Sequence, residues 1–384
     1  MGTTINSNLT LKLDGSSAVK VSGETFNWSG NWFDELNLWA PDDAPLRTVK
    51  LTLEKNSWQS GLLRFSGNAS VTISDATTGT TDNNRVYMDS IATYTSGTNT
   101  ITLKNAEVET IVGGGSTENV TIGYWASYIG LNRGNDTVSV IGNGEVGSMD
   151  LGRGADKLIT SGNAWVGYVN MARGADTVTL GAGGADYISL GRDADTIKFS
   201  ALTDKGQNVT VDGGEGVTET TDKDIDTVNF SAFTSALTID LDGQSTVKTG
   251  AGNFHIRNFE NVIGGSGKDT IIASADVNVL KGGGGGDTFV FETVAAARGD
   301  KILDFTQGSD KIGLSAIDAN GSAAGSAAFK FIGTAAFHDV AGELRYFQKS
   351  GDTFVQGDVN GDGTADFTLS IDALITLKST DFIL

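Results

Sequence analysis

The chain of 384 residues has no cysteine, two prolines and two histidines. The missing cysteine excludes disulfides and thiolate metal sites. Scarce proline beside 52 glycines argues against a collagen or a proline-rich linker, and for many tight turns that need positive φ, each followed by a short strand. Charge of one sign is also scarce: 27 Lys and Arg face 47 Asp and Glu, a formal charge of −20. That balance disfavours nucleic acid and anionic membrane as partners and suits a protein that holds divalent cations. No apolar run reaches the ~18 residues of a membrane helix, so no membrane span is expected. The opening MGTTINSNLTLKLDG lacks a basic start followed by an apolar stretch, so no Sec-type leader is expected.

What is present is repetition. Residues 131–140 read LNRGNDTVSV, 151–160 LGRGADKLIT and 171–180 MARGADTVTL, and LGRDADTIKF continues the series from 190. Such a period, with a Gly-rich turn and a short alternating strand, marks a solenoid in which each unit forms one coil of two strands and two turns. Val138, Val140, Leu158, Val178, Leu180, Ile188 and Leu190 are the expected inward residues. The fold class expected is all-β: a right-handed parallel β-solenoid or β-roll with an N-terminal β cap and a C-terminal capping module. Four segments are expected: residues 1–100 as cap or small β domain, 101–200 as the 20-residue-repeat solenoid, 201–290 as an irregular stretch followed by a nonapeptide roll, and 291–384 as the C-terminal module.

Residues 264–272 (GGSGKDTII) and 282–290 (GGGGGDTFV) match the calcium nonapeptide G-G-x-G-x-D-x-U-x, with acids at Asp269 and Asp287. Ca²⁺ takes six to eight oxygen ligands, more than one turn supplies, and two same-side turns one coil apart would share an ion. In the 20-residue blocks Asp136, Asp156, Asp176 and Asp195 fill the acid position, and Asp186 stands in the block GAGGADYIS. There the motif's first glycine is replaced by Leu131, Leu151, Met171 and Leu190, and each Asp either binds metal or caps its turn. A third candidate is DVNGDGTAD, where Asp358, Asn360, Asp362 and Asp366 alternate and Thr364 would offer its carbonyl. Position twelve is Leu369, where an EF-hand loop has Glu.

Arg133, Arg153, Arg173 and Arg192 recur at one place in four coils. Either each guanidinium pairs with a nearby carboxylate, or the four form a strip for a polyanion such as an acidic polysaccharide. Trp28, Trp32 and Trp39 are either core or a sugar-stacking platform.

The nonapeptides at 264–290 resemble those of secreted RTX (repeats-in-toxin) calcium-binding proteins. The tail from TFVFETVAAARGDKILDF through GDVNGDGTADF to TDFIL resembles the C-terminal module of serralysin-type metalloproteases. The resemblance is good over 260–384, loose over 101–259 and absent from 1–100. It implies calcium bound by Gly264, Ser266 and Asp269 with Gly283, Gly285 and Asp287, and places Asp300 and Asp310 as further candidates. It also implies export from cytoplasm to exterior by type I secretion machinery, read from the apolar end. The coils resemble the solenoid of an ice-binding adhesin too, but Arg and Ala stand where its Thr and Asn rows would be. No H-E-x-x-H or G-x-S-x-G occurs, with the only histidines at His255 and His338, so neither a zinc protease nor a serine hydrolase is expected and no catalytic residue is assigned. The expected function is a secreted, non-catalytic calcium-binding protein of the cell surface or extracellular matrix. Its partners would be calcium, an extracellular polysaccharide or further copies of itself. The alternative is an extracellular polysaccharide-modifying enzyme or polysaccharide-binding module.

Overall fold

The computed structural model describes residues 97–200, 207–214, 224–243, 245–249, 252–321 and 327–384, together with the strands of the first 96 residues. The described chain divides into two compact units, one up to Asp195 and one from Thr196 onward.

The first unit is a stack of coils, each giving one strand to each of two parallel sheets. One sheet contains Ala106–Val112, Trp125–Gly130, Glu145–Asp150, Trp165–Asn170 and Ala185–Gly191 in succession. The other contains Thr98–Leu103, Thr117–Ile122, Thr137–Val140, Lys157–Thr160 and Thr177–Leu180. Thr137 pairs with Lys157 and Lys157 with Thr177, so the sequence period of 20 is the register of the stack. The strands of the first hundred residues follow the same scheme. Glu35–Trp39, Trp58–Ser66 and Val86–Tyr94 extend one sheet, and Arg47–Leu53 and Ala69–Asp75 the other. The described strands of the expected N-terminal cap thus continue both sheets of the stack.

The reason is visible in the core. Val138, Val140, Leu158, Val178 and Ile188 are all fully buried, as the period-2 alternation requires. Leu131, Leu151, Met171 and Leu190 are fully buried as well. The glycine lost from the calcium motif has become a core side chain, which explains the departure from the nonapeptide pattern.

The second unit stacks on a shorter period. Asn261–Ile263, Val279–Lys281 and Lys301–Ile302 run parallel in one sheet, and Thr270–Ile272, Thr288–Val290 and Lys311–Gly313 in the facing one. Phe199, Phe230, Phe233 and Phe254 fill its core as an aromatic cluster with ring centroids 4.3–5.8 Å apart. Both sheets of this unit then acquire a final strand. Phe367–Ile371, the last member of an antiparallel meander with Glu343–Lys349 and Asp352–Asp358, docks parallel on Lys301–Ile302. Phe382–Ile383 docks on Lys311–Gly313. Among the described residues there is no α-helix, only a 3₁₀ turn at Ser379–Asp381.

Candidate metal centre

The turn acids of the first unit form one buried column. Asp136, Asp156, Asp176 and Asp195 are at most 2% exposed. Each Oδ1 accepts the backbone N–H of the acid one coil earlier: Glu118 to Asp136, Asp136 to Asp156, Asp156 to Asp176 and Asp176 to Asp195, all at 2.7 Å. The side chain therefore pins the register at the turn, where strand pairing ends.

The second oxygen is different. Oδ2 of Asp136, Asp156 and Asp176 is buried and has no hydrogen-bond partner. A buried carboxylate oxygen without a donor is costly, and the cost falls on the charged form. Burial accordingly pushes Asp136 and Asp176 up to about 8 and Asp156 to about 6, partly offset by the backbone N–H each receives. Such an oxygen calls for a proton or a cation.

The turns also bring carbonyl oxygens close. Gly134, Gly154 and Gly174 have φ of 138°, 147° and 122°. A Cβ on any of them would collide with the carbonyl oxygen of Ser116, Gly134 or Gly154 in the coil before. Among the described residues no three His, Asp or Glu side chains converge as a metal cluster. A cation at this edge would therefore draw on backbone carbonyls as well as one carboxylate oxygen per coil. That donor set, hard and all oxygen, is the one Ca²⁺ prefers.

Sequence reasoning missed the upper end of the column. Glu118 stands one coil before Asp136 with its side chain fully buried. Its Oε1 accepts Thr93 Oγ1 at 2.9 Å, Asn99 Nδ2 at 3.3 Å and Ser116 Oγ. Its Oε2, and Asn99 Oδ1, lack partners. The available signal was Val120 and Ile122, which follow Glu118 at the spacing by which Val138 and Val140 follow Asp136.

Asp186 does not join the column. It is exposed on Ala185–Gly191, in the opposite sheet, where the neighbouring Ala185 pairs with Val166.

The nonapeptide acids of the second unit are satisfied otherwise. Asp269 Oδ1 accepts the N–H of Leu237 and its Oδ2 that of Gly265. Asp310 accepts those of Asp287 and Thr306 in the same way. Asp287 Oδ1 accepts the N–H of Asp269, and burial pushes its carboxyl up to about 6. Gly283 and Gly285, with φ of 96° and 116°, lie against the carbonyl oxygens of Gly265 and Gly267. Gly264 lies against that of Gly282, and Ser266 N–H donates to the Phe233 carbonyl. On the opposite edge Asp300 Oδ1 takes the N–H of Asn278, while its Oδ2 has no partner and burial pushes it up to about 7. A buried carboxylate oxygen without a donor is thus shared by Asp136, Asp156, Asp176 and Asp300, together with Glu118. Asp304, absent from the sequence reading, grips the N–H groups of Gly282 and Gly283 with both oxygens.

The loop at 358–366 closes on its own amides. Asp358 is fully buried and accepts from Gly361 and Gly363 N–H. Asp366 accepts from Val359 and Asn360, and Asp362 from Thr364, whose hydrogen bonds hold its carboxyl below the usual range.

Arg133, Arg153, Arg173 and Arg192 stack in register through parallel backbone bridges. The first three are exposed and the fourth half-buried. Among the described residues none of them has an ion pair or side-chain hydrogen bond, whereas Arg257 grips Asp212. The expected pairing of each guanidinium with a carboxylate is therefore not what the structure shows. Like charges at the ~4.8 Å coil spacing repel by roughly 1 kcal/mol per neighbouring pair even in water. The tryptophans Trp28, Trp32 and Trp39 lie outside the residues whose side chains are described.

With this geometry in place, the comparisons bear on the second half of the chain. Residues 218–384 match the family model Peptidase M10 serralysin C terminal. Among curated proteins the chain is similar to Metalloprotease AprA of Pseudomonas entomophila (strain L48), at 36% identity over 132 residues. That similarity covers 29% of this chain and 27% of the relative, so the chain spans about a quarter of that protein's length. An RTX-type module at the C-terminal end fits both findings.

Proposed function

We propose that this chain is an extracellular, calcium-dependent β-solenoid of the cell surface or matrix, without a catalytic role of its own. The observation that carries this reading is the column of buried Asp carboxylates, each with one oxygen tied to the preceding coil and, at Asp136, Asp156 and Asp176, the other left without a donor. Calcium at these turns would neutralise the column and stabilise the folded state by mass action. In the second unit the ligands would be Gly264, Ser266, Asp269, Gly283, Gly285 and Asp287, with the 358–366 loop as a separate site. The serralysin-type match supports export by type I machinery, with folding delayed until the chain meets calcium outside. The metalloprotease activity in the relative's name has no counterpart motif here, since neither His255 nor His338 lies in H-E-x-x-H.

The test is chelation of the full chain. Exhaustive EGTA is expected to lower the melting temperature and the β signal in circular dichroism, and added calcium to restore both. A triple variant, Asp136→Asn, Asp156→Asn and Asp176→Asn, keeps the Oδ1 acceptors but is expected to respond less to calcium. Identical melting with and without EGTA would sink the reading.

A second reading rests on a cavity of ≈ 690 Å³ in the second unit, whose lining includes Asp224, Asp242, Glu260 and Asp276. Burial raises Glu260 above the usual carboxylate range, as a general acid requires. A depolymerisation screen against acidic and neutral glycans tests for an enzyme, and no release of oligosaccharide from any of them would reject it.

A further inference from the structure

We propose that the ladder of Arg133, Arg153, Arg173 and Arg192 binds a linear acidic polysaccharide laid along the stacking direction of the first unit, one anionic group per guanidinium. This deepens the extracellular reading above by naming the class of ligand.

Three observations carry it. The first is isolation. The chain has 47 acidic residues, yet these four arginines have no ion pair or side-chain hydrogen bond among the described residues. The nearest acids in sequence are otherwise placed. Asp136, Asp156, Asp176 and Asp195 are buried beneath the turns. Asp193 turns its carboxylate to the N–H of Gly174, and Asp150 lies by Asn170. An unpaired cationic row is locally complementary to an anion brought from outside, and its four unshared charges act against a net charge of −20 that otherwise repels polyanions.

The second is presentation. Each arginine sits between two residues of positive φ. These are Asn132 and Gly134, Gly152 and Gly154, Ala172 and Gly174, and Gly191 and Asp193. Alanine at 172 holds φ of 74° although it lacks glycine's freedom, so the stack imposes the turn. The backbone at the row is pinned on both sides: Gly134 N–H donates to the Arg153 carbonyl, Gly154 to Arg173 and Gly174 to Arg192. The side chains therefore leave from a rigid, repeating edge, which lowers the ordering cost of binding.

The third is spacing. Register bridges join Arg133 to Arg153, Arg153 to Arg173 and Arg173 to Arg192, so the row repeats at the ~4.8 Å of a parallel stack. A flexible polymer with regularly spaced carboxylates or sulfates meets such a row in several places at once. Arginine's planar fork takes either group bidentately.

The experiment uses the full, calcium-loaded chain with its circular dichroism spectrum recorded in the same buffer. Affinity electrophoresis measures retention by polygalacturonate, alginate, dextran sulfate, neutral dextran and duplex DNA. Retention is expected from one or more of the acidic polysaccharides and not from neutral dextran. The carboxylated and sulfated gels decide which anion is preferred. The quadruple variant Arg133→Gln, Arg153→Gln, Arg173→Gln and Arg192→Gln is expected to weaken retention at least tenfold with an unchanged spectrum, and a quadruple Lys variant to fall between. Should the quadruple variant misfold, the four single Gln variants are expected to weaken retention in steps. Full retention of the Gln variants would overturn the proposal, because it would mean calcium bridging alone. So would binding to DNA only, or to no polyanion. Loss of fold on chelation is scored separately, so failure of the calcium reading and failure of the ladder remain distinguishable.

Discussion

At the scale of single residues, the glycines of the turns are not equivalent. Gly154 combines φ of 147° with a neighbouring carbonyl oxygen, that of Gly134, which a Cβ would strike. Gly142, on the opposite edge, has φ of 69° and open space around it. Substituting alanine at Gly142 is expected to cost about 1–2 kcal/mol, the price of a left-handed L-residue. Gly154→Ala adds a steric conflict with backbone and is expected to cost clearly more. Urea midpoints of the two variants check this, and equal losses would show that the close approach does not matter.

At the scale of elements, the last strand is part of the stack. Phe382 is 7% exposed, while Ile383 beside it is 44% exposed. Leu314 N–H donates to the Ile383 carbonyl at 2.8 Å, and Lys378 N–H to Asp381 Oδ2. The apolar end read as an export signal therefore also completes a sheet. Phe382→Ala is expected to lower stability by about 3 kcal/mol, whereas Ile383→Ala should cost less than about 1 kcal/mol. Thermal melts separate the two, and similar losses would argue that Phe382 does not pack as described.

At the scale of the whole molecule, the acid columns set a pH dependence. In the folded state burial pushes Asp136, Asp156 and Asp176 up to about 8, about 6 and about 8, against ~3.9 unfolded. The folded state therefore binds more protons than the unfolded state between about pH 4 and pH 8. The stabilisation from protonating these groups is complete below the unfolded value and is lost as pH rises through the folded ones. In EGTA the chain is expected to melt at a higher temperature at pH 5 than at pH 8, opposite to an acid-labile protein. Calcium should narrow the difference by replacing the proton. A melting temperature in EGTA that rises steadily from pH 5 to pH 8 would contradict the buried column.

The sequence alone settled the parts that follow from period and residue type. A 20-residue repeat with period-2 apolar alternation admits little besides stacked coils, and Val138, Leu158 and Val178 lie in the core as that pattern demands. The Asp positions were legible for the same reason, since one residue per coil recurs at one place. What only the tertiary structure decided was which atoms are left over. Whether a carboxylate oxygen meets an amide depends on the coil beside it: Asp269 has two amide donors, whereas Asp156 has one. Glu118 joined the column because stacking put it over Asp136, although it is Glu rather than Asp and Ser116 stands two residues before it where the later coils have glycine. The arginines emerged without acidic partners because neighbouring carboxylates turn inward to backbone N–H groups, a choice made between coils that no single repeat records.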